Sequence, residues 1–139
     1  MKTLRSIMAG VALLLVCVGA NAAKHTSAGQ TTDDVVTAYI NAIANGKTAD
    51  LDKVLDNSVQ FNTKHGSDIT TLDKTELINY LKNDAVYPAV KTNTTVMSSD
   101  DANAKIKVEF QYDGYTRVDV LVLSKTFGWK INSIDSSTK

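Results

Sequence analysis

Residues 105–125 read KIKVEFQYDGYTRVDVLVLSK, two alternating runs joined by Asp113-Gly114. An Asp-Gly pair between strand-like runs predicts a β-hairpin with a two-residue type I′ loop, whose central residues both need positive φ. Gly accepts that conformation freely and Asp tolerates it. In this register Tyr112 faces Tyr115, Phe110 faces Arg117, Val108 faces Asp119 and Ile106 faces Leu121. Directly opposed residues share a sheet face. One face therefore gathers Ile106, Val108, Phe110, Tyr112, Tyr115, Arg117, Asp119, Leu121 and Leu123, a core with polar groups set into it. The other opposes Lys105, Lys107, Glu109 and Gln111 to Val122, Val120, Val118 and Thr116, as expected of a face turned to solvent or to a weak partner. A three-residue loop with a bulge would slip the register by one and mix the two sets.

Upstream, Thr31-Thr32-Asp33-Asp34 has the hydroxyl caps and early carboxylates of a helix start. Val35, Val36, Tyr39, Ile40, Ala42 and Ile43 then fall on one side of a helical wheel, and Asn45-Gly46 stops the helix. Thr48 opens a shorter helix striped by Leu51, Val54 and Leu55, which Asp56-Asn57 ends. Val59-Gln60-Phe61-Asn62 alternates like a strand, Lys64-His65-Gly66 turns the chain, and residues 67–72 pair back. Asp73 caps a third helix with Glu76 in capping-box position, and Leu72 and Leu77 are spaced as a hydrophobic staple. Leu77, Ile78, Leu81 and Tyr80 form its inner side, and Pro88 marks the exit. Residues 89–97, rich in Val and Thr, predict a further strand, and residues 129–134 the last. Helices grouped ahead of a meander predict an α+β domain, three helices in the N-terminal half packed on one face of a curved antiparallel sheet.

The first 22 residues have the pattern of a secretory signal peptide: Lys2 and Arg5, an apolar stretch over residues 7–19, then Ala20-Asn21-Ala22. At about 14 residues the apolar run is short of the roughly 20 a membrane span needs. Removing 22 of 139 residues leaves 117, enough for one core without staples. Residues 23–30 read as a flexible leader, 31–135 as a single domain and 136–139 as a tail. The expected location is periplasmic or extracellular. Cys17 is the sole cysteine and falls in the signal peptide, where Val16 is too bulky for a lipidation site. Losing Lys2 and Arg5 from 15 basic residues leaves 13 against 15 acidic, a net charge of −2 with no basic run to attract nucleic acid.

The resemblance carried by Val35-Val36-Thr37-Ala38-Tyr39-Ile40-Asn41-Ala42-Ile43, by the passage over residues 51–61 and by Gly128-Trp129-Lys130-Ile131 is to the nuclear transport factor 2-like superfamily. Within it the chain is most similar to the secreted bacterial lumazine-binding subgroup. The resemblance implies a cone-like sheet closed on one side by helices, with a pocket on the concave face. That superfamily hosts enzymes, carriers and interaction modules, so fold alone does not choose among them.

In such a cone the hairpin register puts Arg117 and Asp119 on the concave face with Phe110, and the candidate pocket adds Tyr39, Tyr112 and Trp129. Arg117 and Asp119, two residues apart on one strand, can pair with each other as a structural ion pair. Alternatively a desolvated Arg117 anchors an acidic ligand group while Asp119 orients it. Tyr39, mid-way along the apolar arc of the first helix, needs a buried partner for its hydroxyl. Tyr112 and Tyr115 read as a stabilising cross-strand pair, and Trp129 as core or an aromatic wall. His65 and His25 have no companions at metal-ligand spacing, so neither a metal nor another cofactor is expected. Asn93-Thr94-Thr95 is a glycosylation sequon by chance frequency, and no phosphate loop or nucleophile motif occurs.

Three functions compete. The first is a secreted domain binding a small ligand in the cone without catalysis. The second is an enzyme of isomerase or dehydratase type, which needs a carboxylate base and a hydroxyl donor; Asp119 and Tyr39 could be cast in those roles, but a base paired to Arg117 would have a lowered pKa. The third is an interaction module, a homodimer joined through Val118, Val120 and Val122.

Overall fold

The structure, a computed structural model, describes residues 30–84 and 86–139. The expected signal peptide and the leader up to residue 29, with Cys17 and His25, lie outside the described residues. The element order is α1 (Thr32–Asn45), α2 (Leu51–Val54), β1 (Leu55–His65), β2 (Asp68–Leu72), α3 (Lys74–Asn83), β3 (Lys91–Ser99), β4 (Asn103–Tyr112), β5 (Tyr115–Lys125) and β6 (Trp129–Thr138).

Helix α1 starts where the sequence places it. The Thr31 hydroxyl accepts a hydrogen bond from the Asp34 amide at 3.2 Å, and the Asp34 carboxylate accepts one from the Thr31 amide at 2.9 Å, so Asp34 does the work of the usual Glu in a capping box. Gly46 ends the helix at φ 68°, and its amide donates to the Asn41 carbonyl. Asp73 and Glu76 form the same reciprocal box at the start of α3. Of the inner side expected for α3, Leu77 is buried, Ile78 and Leu81 are half-buried, and Tyr80 is exposed.

The predicted second helix is a single turn. Its expected end at Asp56-Asn57 is already strand, because Leu55 is extended and pairs with Ile131 of β6. Burying Leu55, Val59 and Phe61 on one side of β1, each worth about 1.5–3 kcal/mol, outweighs the helical stripe.

The six strands form one curved sheet in the order β2-β1-β6-β5-β4-β3. All pairs are antiparallel except β1 with β6, which is parallel where the sequence predicts a wholly antiparallel sheet. Register shifts place extra residues in β1, β3 and β6, the irregularities that let a sheet bend. The tail expected from residue 136 is also strand: β6 runs to Thr138, and Lys139 exchanges two backbone hydrogen bonds with Thr116.

The hairpin register is the two-residue one, with Tyr112 opposite Tyr115, Phe110 opposite Arg117 and Val108 opposite Asp119. Its loop is not type I′, since Gly114 has φ 89° but Asp113 has a negative φ. The core lies between α1 and the concave face, where Tyr39, Phe110, Leu121, Leu123, Ile131 and Ile134 are all buried. Among the described residues no helix is long and apolar enough to cross a membrane.

Candidate functional site

Strand alternation turns Arg117 and Asp119 to the same side as Val108 and Phe110, and α1 crosses that side with Tyr39 facing down. Asp119 is 0 % exposed, a buried charge in the middle of an apolar layer. It is fully engaged. The Tyr39 hydroxyl donates to Oδ2 at 2.6 Å, and Arg117 Nε donates to Oδ1 at 2.9 Å and Oδ2 at 3.0 Å. A longer contact of 3.5 Å joins Arg117 Nη2 to the Tyr39 oxygen. Aromatic rings hold the guanidinium too: Cζ lies 5.7 Å from the Phe61 centroid and 6.0 Å from that of Phe110. No buried side-chain polar atom among the described residues lacks a partner, so this network satisfies the groups it buries.

The electrostatics follow from that packing. Burial, and next the negative charge of Asp119, raise the Tyr39 hydroxyl well above its ordinary value, against the opposing pull of Arg117. Burial alone would lower the Arg117 guanidinium, but the Tyr39 and Asp119 oxygens beside it more than reverse this and the net direction is upward. Tyr39 is thus a neutral donor and Arg117 a permanent cation.

Arg117 also lines a cavity of about 580 Å³. The sheet contributes Phe61 and His65 from β1, Tyr112 from β4 and Tyr115 from β5. Tyr80 of α3 and the following Asp84, Val86 and Tyr87 complete the opposite wall. Tyr112 and Tyr115 stack at 4.8 Å between centroids, the cross-strand pair expected from the hairpin. Tyr80 donates to Asp84, and burial followed by the Asp84 charge raises its pKa.

Of the six residues singled out from the sequence, Arg117 and Tyr112 are on the cavity wall. Asp119, Tyr39 and Phe110 are not; they contact Arg117 or each other in the layer behind it, with the Tyr39 and Phe110 rings 6.5 Å apart. Trp129 belongs to neither group. It opens β6 opposite Lys125 and packs on the core. Sequence reasoning did not find Phe61, His65, Tyr80, Asp84, Val86 or Tyr87 as cavity residues. Two large apolar residues, Val86-Tyr87, just before Pro88 were the available clue, since a loop has no other reason to carry them. Among the described residues no group of three or more His, Cys, Asp or Glu is placed to hold a metal ion.

The wall segment at Val86 rests on the bare Cα of Gly46. A Cβ added at Gly46 would lie 2.6 Å from Val86 Cγ2, at a φ of +68° that side chains rarely adopt. Gly46→Ala should therefore cost about 1–2 kcal/mol in urea unfolding, part from the left-handed backbone and part from the clash. In a Val86→Ala background the clash part should vanish and the backbone part remain. An equal cost in both backgrounds would refute this contact.

No protein-family model matches the chain, and no curated protein matches it either. Solved structures do. A nuclear transport factor 2-like protein of unknown function from Silicibacter pomeroyi superposes with a TM-score of 0.62 at 17% identity, covering 79% of this chain and 100% of that one. A second such protein of unknown function, from Shewanella baltica, gives 0.60 at 14% identity over 76% of this chain and 89% of that one. A cystatin-like fold protein from Burkholderia xenovorans gives 0.61 at 13% identity, covering 76% and 87%. The fold is nuclear transport factor 2-like: helices from the N-terminal half packed on a curved six-stranded sheet.

Proposed function

We propose that the protein is an exported, non-catalytic domain that binds a small ligand in the cavity, with Arg117 as its anchor. The observation that carries this is a guanidinium locked by Asp119 and lining an aromatic cavity of about 580 Å³. A guanidinium has five N–H donors, and the contacts to Asp119 and Tyr39 employ Nε and one end of Nη2. The remaining donors are available to a ligand acceptor, and the volume suits a compound of drug-like size.

Against the isomerase or dehydratase alternative stands the commitment of Asp119. A general base must come within hydrogen-bond reach of the proton it removes, whereas this carboxylate is buried behind Arg117 and accepts from both Arg117 and Tyr39. The signal-peptide pattern of residues 1–22 supports export to the periplasm or beyond. The sequence resemblance to the lumazine-binding subgroup supports a heterocyclic ligand. A homodimer through the sheet is the second reading, favoured by Val118, Val120 and Val122, which are only half-buried on the face away from the helices.

Native mass spectrometry of the exported protein tests both. The expected spectrum carries a small-molecule adduct that is lost in the double variant Arg117→Leu, Asp119→Leu. That variant removes the two charges together, so it leaves no unpaired buried ion. An undiminished adduct in the variant overturns the anchor. A wild-type protein that carries no adduct and binds no member of a fragment library overturns ligand binding. The subunit count in the same spectrum decides the dimer.

A further inference from the structure

The charges around the cavity do not match an acidic ligand. Its described lining contains the ionisable side chains Arg117, Asp84, His65 and four tyrosines, Tyr80, Tyr87, Tyr112 and Tyr115. The Arg117 cation is already balanced by Asp119, which is 0 % exposed and takes both oxygens to within 3.0 Å of Nε. Asp84 adds a negative charge on the opposite wall, where it accepts from Tyr80. At a pH where histidine carries no charge, Arg117 is the one cation of the described lining, and Asp119 balances it.

An anion entering this space would give up its hydration and meet no uncompensated cation. A carbonyl oxygen gives up far less, and it can still accept from the N–H donors that Arg117 does not use on Asp119. We infer that Asp119 sets the charge specificity of the cavity: by neutralising Arg117 in place, it makes the site select uncharged hydrogen-bond acceptors over carboxylates. Asp119 acts through Arg117 and is a positioning residue, not a contact. The phenol and phenyl rings of Tyr80, Tyr112 and Phe61 add flat apolar surface, so the favoured compounds are aromatic amides, lactams and ketones.

This inference rests on the ligand-binding reading above and is tested separately from it. The probes are 2-naphthamide and 2-naphthoate, matched in shape and different in charge, titrated by NMR at pH 8 and low salt. The amide is expected to bind roughly tenfold more tightly than the carboxylate. In Asp119→Asn, which keeps an acceptor for Arg117 but removes the compensating charge, the order should reverse. A residue that served only to hold the fold would weaken both probes alike. Should Asp119→Asn fail to fold, Asp84→Asn provides the second arm: the amide preference should shrink to a few-fold without reversing. Equal or tighter binding of naphthoate to the wild type overturns the inference and leaves ligand binding intact. So does a preference that neither variant alters. Binding of neither naphthalene while other fragments bind also overturns it, whereas a cavity that binds nothing removes the reading beneath it.

Discussion

Asp119→Ala is expected to destabilise the fold by about 3–5 kcal/mol, the range for breaking a buried ion pair from one side. The side chain of Arg117 is 20% exposed and that of Asp119 is 0% exposed, so the cation left behind has little solvent to turn to. Tyr39, fully buried, loses the acceptor of its 2.6 Å hydrogen bond at the same time. The comparison that isolates the charge is Arg117→Met with Asp119→Leu. Replacing both charges by apolar groups of similar size leaves no ion to desolvate, so the double variant should lose less stability than Asp119→Ala alone. Urea midpoints for Arg117→Met, Asp119→Leu and the double variant complete a cycle whose coupling should be well above 1 kcal/mol. A loss below about 1 kcal/mol in Asp119→Ala would mean that Arg117 leaves its place for the cavity and is not held by the rings of Phe61 and Phe110.

The features behind that prediction were legible to different degrees. Arg117, Asp119 and Phe110 could be placed together because hairpin register is local: an Asp-Gly loop of known length fixes every pair outward from it, and Tyr112 opposite Tyr115 through Ile106 opposite Leu121 follow. The loop conformation was not legible. A two-residue connection needs one residue that accepts positive φ, and Gly114 supplies it without Asp113 following. Tyr39 was legible as a buried hydroxyl in want of a partner, but only the packing of α1 on the sheet identifies that partner as Asp119.

The cavity was the least legible part. Its β1 side depends on the parallel pairing of β1 with β6, which sets Phe61 beside Ile134 and Thr63 beside Ser136. Periodicity within a segment says which face a residue occupies, not which distant strand lies alongside. The opposite wall at Asp84, Val86 and Tyr87 comes from chain without periodic structure. Trp129 was open between core and an aromatic wall of the pocket, and the register settles it by carrying the residue to the far end of β5, opposite Lys125, where it packs on the core.

Tyr39→Phe should change the dependence of stability on alkali as well as stability itself. At neutral pH the variant removes one hydrogen bond to a charged acceptor, expected to cost about 1.5–3 kcal/mol. The alkaline arm follows from the direction of the Tyr39 shift. Burial and the Asp119 charge raise its folded-state pKa above the ordinary 10.0 of an unfolded tyrosine. The folded protein therefore keeps a proton that the unfolded chain releases. The stabilisation is fully present below pH 10 and is lost as pH rises above it, at about 1.4 kcal/mol per pH unit while only the unfolded chain is ionised. Phenylalanine has no proton to release, so stability of the variant should fall less steeply above pH 10 and the two curves should converge. Guanidinium unfolding at intervals from pH 8 to the alkaline limit of folding measures both. Parallel curves throughout would show that the Tyr39 hydroxyl gives up its proton in the folded protein as readily as in the unfolded one, which a donor buried against Asp119 cannot do.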